Sequence, residues 1–218
     1  GMIVIDEKGK ILWKYKTQDK ITASPAIAKL DGENFNIIVG SWDNNLYALS
    51  EKGKLLWKYP SSGKIFSQAL VSDINNDKKP EILFGSCDDN LHVLSDKGKV
   101  IWNYETNFWI VATPLIFDLD KDKKPEIIMG SYDGFLYILD AEADYVLDYI
   151  PGIASITQQS GHYSDFLTKE PGDFHGKMLW KYDAKSMISS TSLIKGTTDG
   201  ILITTNTKKL DKLIYKKY

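Results

Sequence analysis

The chain has 218 residues, of which 43% are hydrophobic and 12% are aromatic, a composition that indicates a folded globular protein and excludes a disordered tail. The formal net charge is −2, so no overall positive field favours binding to nucleic acid or to an anionic membrane. All basic residues are lysine, and the lack of arginine removes the side chain that binds phosphate and guanine in a bidentate manner.

Cysteine content and hydropathy limit the protein further. Cys87 is the only cysteine, so neither an internal disulfide nor a cysteine-based zinc site is expected. No apolar run is long enough to span a membrane, and the charged Asp6–Lys8 segment follows Met2–Ile5 directly, unlike a signal peptide. Gly1 before Met2 resembles a cloning remnant, so a signal peptide or further blades could have been cut away and the lack of one is weak evidence. The compartment stays open, with an extracytoplasmic location, at the cell surface or in the periplasm, slightly favoured.

A sequence of the form Gly-Lys-apolar-apolar-Trp-x-Tyr occurs four times along the chain. The copies are Gly9–Tyr15, Gly53–Tyr59, Gly98–Tyr104 and Gly176–Tyr182. Their tryptophans are separated by 44, 45 and 78 residues. The last step equals one period plus an insertion of about 33 residues. Self-similarity at this period indicates a repeat architecture, so the repeat is the first feature to be explained.

Each period predicts four short strands. Small and apolar runs such as Ser24–Ile27 come first, followed by aliphatic runs such as Ile38–Ser41 and Leu46–Leu49. Asp43-Asn44 separates two apolar runs, as a hairpin turn does, and Asp88-Asp89 and Asp133-Gly134 occupy the same place in later copies. The aliphatic runs lack polar alternation, which indicates strands covered on both faces. Four strands in a period of about 45 residues predict an all-β protein, a β-propeller of four-stranded blades.

Two resemblances agree with this fold. Ala48–Ser50, Gly53-Lys54 and Trp57 resemble the tryptophan-docking repeat of quinoprotein (PQQ-like) β-propellers, which implies that the tryptophan packs between adjacent blades. Residues 73–82 and 118–127 are similar to the FG-GAP loop of integrin-type propellers. Quinoprotein dehydrogenases have about eight blades, a calcium-bound quinone and often adjacent cysteines. This chain has half as many repeats and one cysteine, so neither their cofactor nor their activity is carried over.

Two acidic loops are candidate calcium sites. Positions 1, 3, 5 and 9 of the loops are occupied by Asp73, Asn75, Asp77 and Glu81, and by Asp118, Asp120, Asp122 and Glu126. Alternating oxygen ligands in a tight loop suit Ca²⁺, which takes six to eight oxygens. Position 6, commonly glycine, is Lys78 or Lys123 here, a residue type that strains a left-handed backbone. The alternative interpretation is an Asx-rich turn whose side chains bond to its own backbone.

The segment at about 141–175 interrupts the repeat. It contains His162 and His175, with Tyr163, Ser164, Asp165 and Asp173 close in sequence. A triad-like set can be built from these residues, but no nucleophile elbow or other catalytic motif surrounds them. An irregular insertion on a rigid scaffold more often makes a recognition surface or a protomer contact. His92 replaces the tyrosine found at this position in two other repeats, Tyr47 and Tyr137, which indicates a structural substitution.

The sequence as a whole predicts one β-propeller domain over residues 1–218, with the insertion at about 141–175. Residues 2–15 should supply the last two strands of one blade and residues 190–215 the first two or three of another. A small closed ring, a fragment of a larger ring and a ring completed by two copies all remain open, so a homo-oligomer is an option. We expect a non-catalytic binding or scaffold module for a protein or glycan, with calcium-stabilised loops. The alternative is an enzyme, quinone-dependent or hydrolytic, with its site at the insertion.

Overall fold

The computed structural model of the protein describes residues 1–119, 122–141, 178–194, 200–205 and 211–214. Regular structure in this part of the chain is entirely β-strand. The strands are β1 (Met2–Ile5), β2 (Ile11–Tyr15), β3 (Ala26–Ala28), β4 (Asn36–Gly40), β5 (Asn45–Ser50), β6 (Leu55–Pro60), β7 (Leu70–Ser72), β8 (Glu81–Gly85), β9 (Asn90–Leu94), β10 (Val100–Glu105), β11 (Leu115–Phe117), β12 (Glu126–Gly130), β13 (Phe135–Asp140), β14 (Met178–Asp183), β15 (Ile188–Ile194), β16 (Gly200–Thr205) and β17 (Asp211–Ile214). Over these residues no helix is long and apolar enough to cross a membrane.

Within the described residues the strands form five antiparallel sheets, which we name A to E in chain order. Sheets B (β3–β6), C (β7–β10) and D (β11–β14) have four strands each, in sequence order. Of the strands given above, sheet A holds β1 and β2, and sheet E holds β15 to β17. The prediction of repeated four-stranded sheets is therefore confirmed, as is the prediction that the first and last segments supply parts of sheets.

The chain divides into two compact units. Unit 1 is Gly1–Pro114 and contains sheets A, B and C, whereas unit 2 is Leu115–Tyr218 and contains sheets D and E. In unit 1, a cluster that includes Ile38, Leu46 and Phe84 joins sheet B to sheet C. In unit 2, an equivalent cluster that includes Ile138 and Ile203 joins sheet D to sheet E. Every residue of β8 and of β12 is buried, which explains why these strands lack polar alternation.

The repeated tryptophan stands at an irregularity of the sheet. In sheet B the register shifts between Ala48 and Leu49, and Trp57 pairs with Ala48. The same shift occurs where Trp13 pairs with Val4 in sheet A. An extra residue on one strand of an antiparallel pair bends that strand and re-aims its side chains. The sequence repeat therefore encodes a repeated bulge on the outer strand as well as a repeated side chain.

The bulge directs the tryptophan toward the next sheet. The Trp13 indole lies against Gly53, where a Cβ would stand 2.6 Å from Trp13 Cδ2, and Trp13 Nε1–H donates to the carbonyl oxygen of Glu51 at 2.8 Å. Gly53 has a φ of +76°, a conformation that favours glycine. The expectation that tryptophan packs between adjacent sheets is confirmed for this pair and for Trp57 with Gly98.

Candidate functional site

Five loops of unit 1 lie together at one end of its strands, and we call them the loop face. They are residues 16–25, 41–44, 61–69, 86–89 and 106–114. Backbone hydrogen bonds link each loop to its neighbour. Trp42 N–H donates to Lys20 O at 3.0 Å, Ser61 N–H to Asn44 O at 2.8 Å, Cys87 N–H to Lys64 O at 2.9 Å, and Thr106 N–H to Asp89 O at 2.8 Å. The loop face is therefore a continuous hydrogen-bonded surface supported by three sheets.

An aspartate in each turn between the second and third strands anchors this surface. Asp43 accepts hydrogen bonds from the backbone N–H of Asn45 (3.1 Å), from the hydroxyl of Tyr47 (2.9 Å) and from the N–H of Gln18 in the preceding loop (2.9 Å). Burial raises the pKa of the Asp43 carboxyl, but these hydrogen bonds outweigh burial and hold that pKa below its ordinary value. The carboxylate thus ties one sheet to the loop before it.

Asp88 takes the same role in sheet C, with His92 in place of the tyrosine. His92 is buried, its Nε2 lies 3.1 Å from Asp88 Oδ1, and its ring stacks on Phe84. His92 Nδ1 lies 3.2 Å from the Tyr59 hydroxyl. Ser62 N–H also donates to Asp88, at 2.9 Å. His92 is therefore a structural substitution, as its place in the repeat predicted.

Trp42 is the central aromatic residue of the loop face. Its indole is half-buried, and Nε1–H donates to Thr22 Oγ1 at 2.8 Å. The Phe66 ring meets it edge-to-face, with 5.0 Å between centroids. Lys20 Nζ lies 3.4 Å and Lys64 Nζ 4.6 Å from the indole centroid, within the range of cation–π attraction. Hydrogen bond, ring contact and cations together fix the orientation of the indole.

A second pair of aromatic residues lies on loop 106–114 of the same face. Phe108 and Trp109 stack with 5.1 Å between centroids and 5° between planes, and they are 41% and 40% exposed. Thr106 Oγ1 donates to Phe108 O at 2.7 Å, and Ile110 N–H donates to Ser86 O at 3.1 Å. The loop backbone on both sides of the pair is therefore held to the sheet.

The first predicted calcium loop satisfies its own polar groups. Asp73 Oδ1 accepts the N–H of Asp77 at 3.2 Å, and Oδ2 accepts the N–H of Lys78 at 2.9 Å. Asn75 Oδ1 also accepts the Asp77 N–H, at 3.0 Å. Glu81 is buried and its Oε2 accepts the N–H of Ile74 at 3.0 Å; burial raises the pKa of this carboxyl. These are the contacts of an Asx-rich turn.

The second predicted calcium loop differs from the first at one atom. Asp118 Oδ2 accepts the Lys123 N–H at 3.1 Å, as in the first loop, whereas Asp118 Oδ1 is buried without a hydrogen-bond partner. A buried carboxylate oxygen without a partner is costly unless a cation compensates it. Glu126 Oε2 accepts the Leu119 N–H. Asp120 lies outside the described residues.

The residue at position 6 has a left-handed backbone conformation in both acidic loops. Lys78 has a φ of 70° and Lys123 a φ of 72°, so lysine occupies the left-handed conformation that glycine usually supplies. Among the residues described, no three acidic, histidine or cysteine side chains lie close enough to one another to hold a metal ion. Calcium binding therefore stays a prediction, and the unpartnered Asp118 oxygen makes the second loop its better candidate.

The last group of sequence predictions concerns the insertion. The insertion, with His162, His175, Tyr163, Ser164 and Asp165, lies outside the described residues. The strands that flank the insertion pair directly, since Leu139 lies opposite Met178.

The sequence repeat did not predict the aromatic residues of the loop face, because a repeat indicates only residues that recur. Of the six tryptophans, four occupy the repeated position, and the other two are Trp42 and Trp109. The residues equivalent to Trp42 in the later copies of the repeat are Cys87 and Tyr132, so this position does not conserve one residue type between repeats. A non-repeated tryptophan in a repeat protein is the signal that could have found this surface.

Comparison with known proteins places these features in a common fold. The profile of the family described as the lambda-carrageenase β-propeller domain matches residues 37–146. No curated protein matches the chain. BamB from Moraxella catarrhalis is 17% identical in sequence, with a TM-score of 0.60 over 94% of this chain and 50% of that one.

Two further solved structures have the same fold at low identity. The C-terminal domain of PilY1 from Pseudomonas aeruginosa is 17% identical, with a TM-score of 0.62 over 93% of this chain and 50% of that one. BBS1N, solved in complex with ARL6DN, is 13% identical, with a TM-score of 0.58 over 98% of this chain and 58% of that one. The chain thus spans about half the length of the solved structures it matches.

Proposed function

The chain belongs to the lambda-carrageenase β-propeller domain family, and we propose that it is a non-catalytic binding module whose loop face recognises a protein partner. The observation that carries the proposal is the exposed, stacked pair of Phe108 and Trp109, on the same face as Trp42 and Phe66. Protein interfaces are enriched in aromatic residues, and tryptophan is prominent among the residues that dominate binding energy.

The way these side chains are held supports recognition. The indole of Trp42 is bonded to Thr22 and contacts Phe66, and the loop carrying Trp109 is bonded to Ser86. A surface that is ordered before binding loses less conformational entropy when a partner arrives. One structural neighbour, BBS1N, was solved in complex with a second protein, which supports a protein as the class of partner.

A glycan is the second candidate partner, because the matched family is named after a carrageenan-degrading enzyme and Trp42 offers an aromatic ring. Sugars bind to tryptophan by stacking on the face of the indole. Lys20 Nζ already lies over that face, 3.4 Å from the centroid, so a sugar would have to displace it. This favours the protein partner.

Affinity capture with matched variants tests the proposal. Phe108→Ala combined with Trp109→Ala should abolish capture of a partner that wild-type protein retains. Phe35→Ala is the control, because Phe35 is 53% exposed and precedes β4, at the other end of the strand from the loop face. The captured protein is then purified and titrated against both variants by calorimetry. Equal binding by all variants, or binding of polysaccharide alone, contradicts a protein-binding loop face.

Calcium belongs to this proposal as a stabilising ion. Asp118, Asp120 and Asp122 would supply carboxylate oxygens, with Asp118 Oδ1 as the atom now lacking a partner. Ca²⁺ prefers carboxylate and carbonyl oxygens, and its charge would offset the cost of burying that oxygen. The ion would stiffen the connection between β11 and β12 without taking part in partner recognition.

A further inference from the structure

Two lysines of the loop face share one aromatic ring. Lys20 comes from loop 16–25 and Lys64 from loop 61–69, and both are exposed. Because their Nζ atoms lie 3.4 Å and 4.6 Å from the centroid of Trp42, the two ammonium groups are within about 8 Å of each other. Two separate loops therefore place two positive charges at one point of the surface.

Neither charge has an anionic partner among the side chains that the structure describes. In the described ranges, neither Lys20 nor Lys64 forms an ion pair. Three nearby carboxylates make other hydrogen bonds: Asp43 accepts from Tyr47 and Gln18, and Asp88 is bonded to His92. Asp19, next to Lys20 in sequence, accepts the backbone N–H of Lys20 at 2.7 Å. Like charges at this separation repel each other, and an anion placed between them would relieve that repulsion.

The geometry points to an acidic ligand. We propose that Lys20 and Lys64 bind the carboxylates of an acidic segment on the protein partner, with Trp42 positioning both ammonium groups; this inference rests on the proposed protein-binding function. A carboxylate that accepts a hydrogen bond from a lysine Nζ leaves the contact of that ammonium group with the indole in place. A sugar ring stacked on Trp42 would have to remove them, so an acidic peptide fits this arrangement better than a saccharide.

The Trp42 indole makes this pair of lysines different from ordinary surface lysines. Its Nε1–H is bonded to Thr22 Oγ1 at 2.8 Å and its ring contacts Phe66, so the ring is fixed before any ligand binds. Lysine is a flexible point charge that loses rotamer freedom when it is ordered. Contact with a fixed indole reduces that freedom in advance, which lowers the entropic cost of binding.

The test uses a labelled hexaglutamate peptide as the probe, with a hexaglutamine peptide as its uncharged counterpart. Fluorescence anisotropy should show hexaglutamate binding that weakens as salt is raised, because salt screens exposed charges. Lys20→Met with Lys64→Met should weaken binding about fivefold or more, since two exposed ion pairs are lost. Lys20→Arg with Lys64→Arg should retain binding. Lys29→Met is the matched control, because Lys29 Nζ lies 5.2 Å from the Phe35 ring at the other end of β4.

Each other outcome overturns the inference. Equal hexaglutamate affinity of the wild type and the double methionine variant would show that these lysines do not bind it. Lysine-dependent binding of an anionic polysaccharide, without peptide binding, would replace the acidic peptide by an acidic saccharide. If partner capture depends on Phe108 and Trp109 but not on Lys20 and Lys64, the proposed function stands and this inference fails. Capture that depends on none of the four contradicts the proposed function itself.

Discussion

The indole of Trp57 lies so close to Gly98 of the adjacent sheet that a Cβ at residue 98 would stand 2.6 Å from Trp57 Cδ2. Trp57 Nε1–H also donates to Asp96 O at 3.1 Å. Trp13 and Gly53 make the same contact one sheet earlier. A glycine in the turn before the outer strand and a tryptophan on the outer strand of the preceding sheet therefore form a repeated joint between the sheets of unit 1.

The first prediction separates this joint from the backbone preference of glycine. Gly98 and Gly9 both have positive φ, +72° and +79°, but a Cβ at Gly9 would meet nothing within 4 Å. Gly9→Ala should therefore cost about 1 kcal/mol for the strained backbone alone, whereas Gly98→Ala should cost about 3 kcal/mol or more because it also displaces Trp57. Urea denaturation measures both values. Similar losses in the two variants would contradict a packing role for Gly98.

The second prediction concerns the tryptophan itself. Trp57→Ala should lower the free energy of unfolding by about 3–5 kcal/mol, as large-to-small substitutions in a packed contact do. Leu56→Ala, the control on the same strand, should change it by less than about 0.5 kcal/mol, because Leu56 is exposed. Thermal and urea denaturation of both variants provide the measurement. If the Trp57→Ala and Leu56→Ala variants had the same melting temperature, tryptophan docking would not hold the sheets together.

The third prediction is a pH dependence at the joint between Asp88 and His92. Burial raises the pKa of the Asp88 carboxyl, but hydrogen bonds from His92, Ser62 and Asn90 outweigh it and leave that pKa below its ordinary value. A lowered folded-state pKa contributes stability that is present above the unfolded pKa, about 3.9, and is lost as pH falls through the folded pKa. Asp88→Asn should therefore cost about 1–2 kcal/mol above pH 5, and less as pH falls below 4.

The control for that prediction comes from the repeat. His92→Tyr restores the tyrosine of the neighbouring repeats, where the Tyr47 hydroxyl donates to Asp43 and that of Tyr137 to Asp133. This variant should keep the acid-dependent loss of stability, since the aspartate keeps a donor. Melting curves from pH 2.5 to 7 compare the three proteins. A constant difference between wild type and Asp88→Asn across that range would contradict the assigned role of the carboxylate.

The fourth prediction compares the two acidic loops. Millimolar Ca²⁺ should raise the melting temperature of wild-type protein, because a ligand that binds only the folded state stabilises it. Asp118→Asn should abolish the increase, since Asp118 Oδ1 is the buried oxygen without a partner. Asp73→Asn should leave most of it, because both Asp73 oxygens accept backbone N–H groups. If titration of the wild-type protein with Ca²⁺ released no heat in a calorimeter, calcium binding would be excluded and only the Asx-turn interpretation would remain.

The fifth prediction concerns the insertion. β13 ends at Asp140, β14 begins at Met178, and Leu139 pairs with Met178, whereas the equivalent strands β5 and β6 are joined by Glu51–Lys54. Replacing residues 140–175 with Ser-Glu-Lys should therefore leave the sheets folded, with an unchanged far-ultraviolet spectrum and a cooperative melt. Aggregation of the shortened protein would show that the insertion covers apolar surface.

Most of the architecture could be predicted from sequence because the fold is repetitive. Val39 and Phe84 lie in aliphatic runs of one recurring pattern, so a period of about 45 residues located strands and turns together. The predicted docking of Trp13 and Trp57 is confirmed for the same reason: a side chain with a fixed phase in every repeat faces the same neighbour each time. The division into two compact units was not predicted from the sequence.

The sequence by itself determined the strand order, the turn aspartates and the tryptophan joints, because local periodicity and residue type dictate them. Only the tertiary structure placed Lys20 and Lys64 at the ring of Trp42. Lys20 lies 22 residues before Trp42 and Lys64 lies 22 residues after it, and neither contact belongs to the repeat. It also distinguished Asp118 from Asp73, which have the same motif but differ in whether a backbone N–H reaches the second oxygen. Such differences depend on the three-dimensional course of the backbone, which a short sequence motif does not specify.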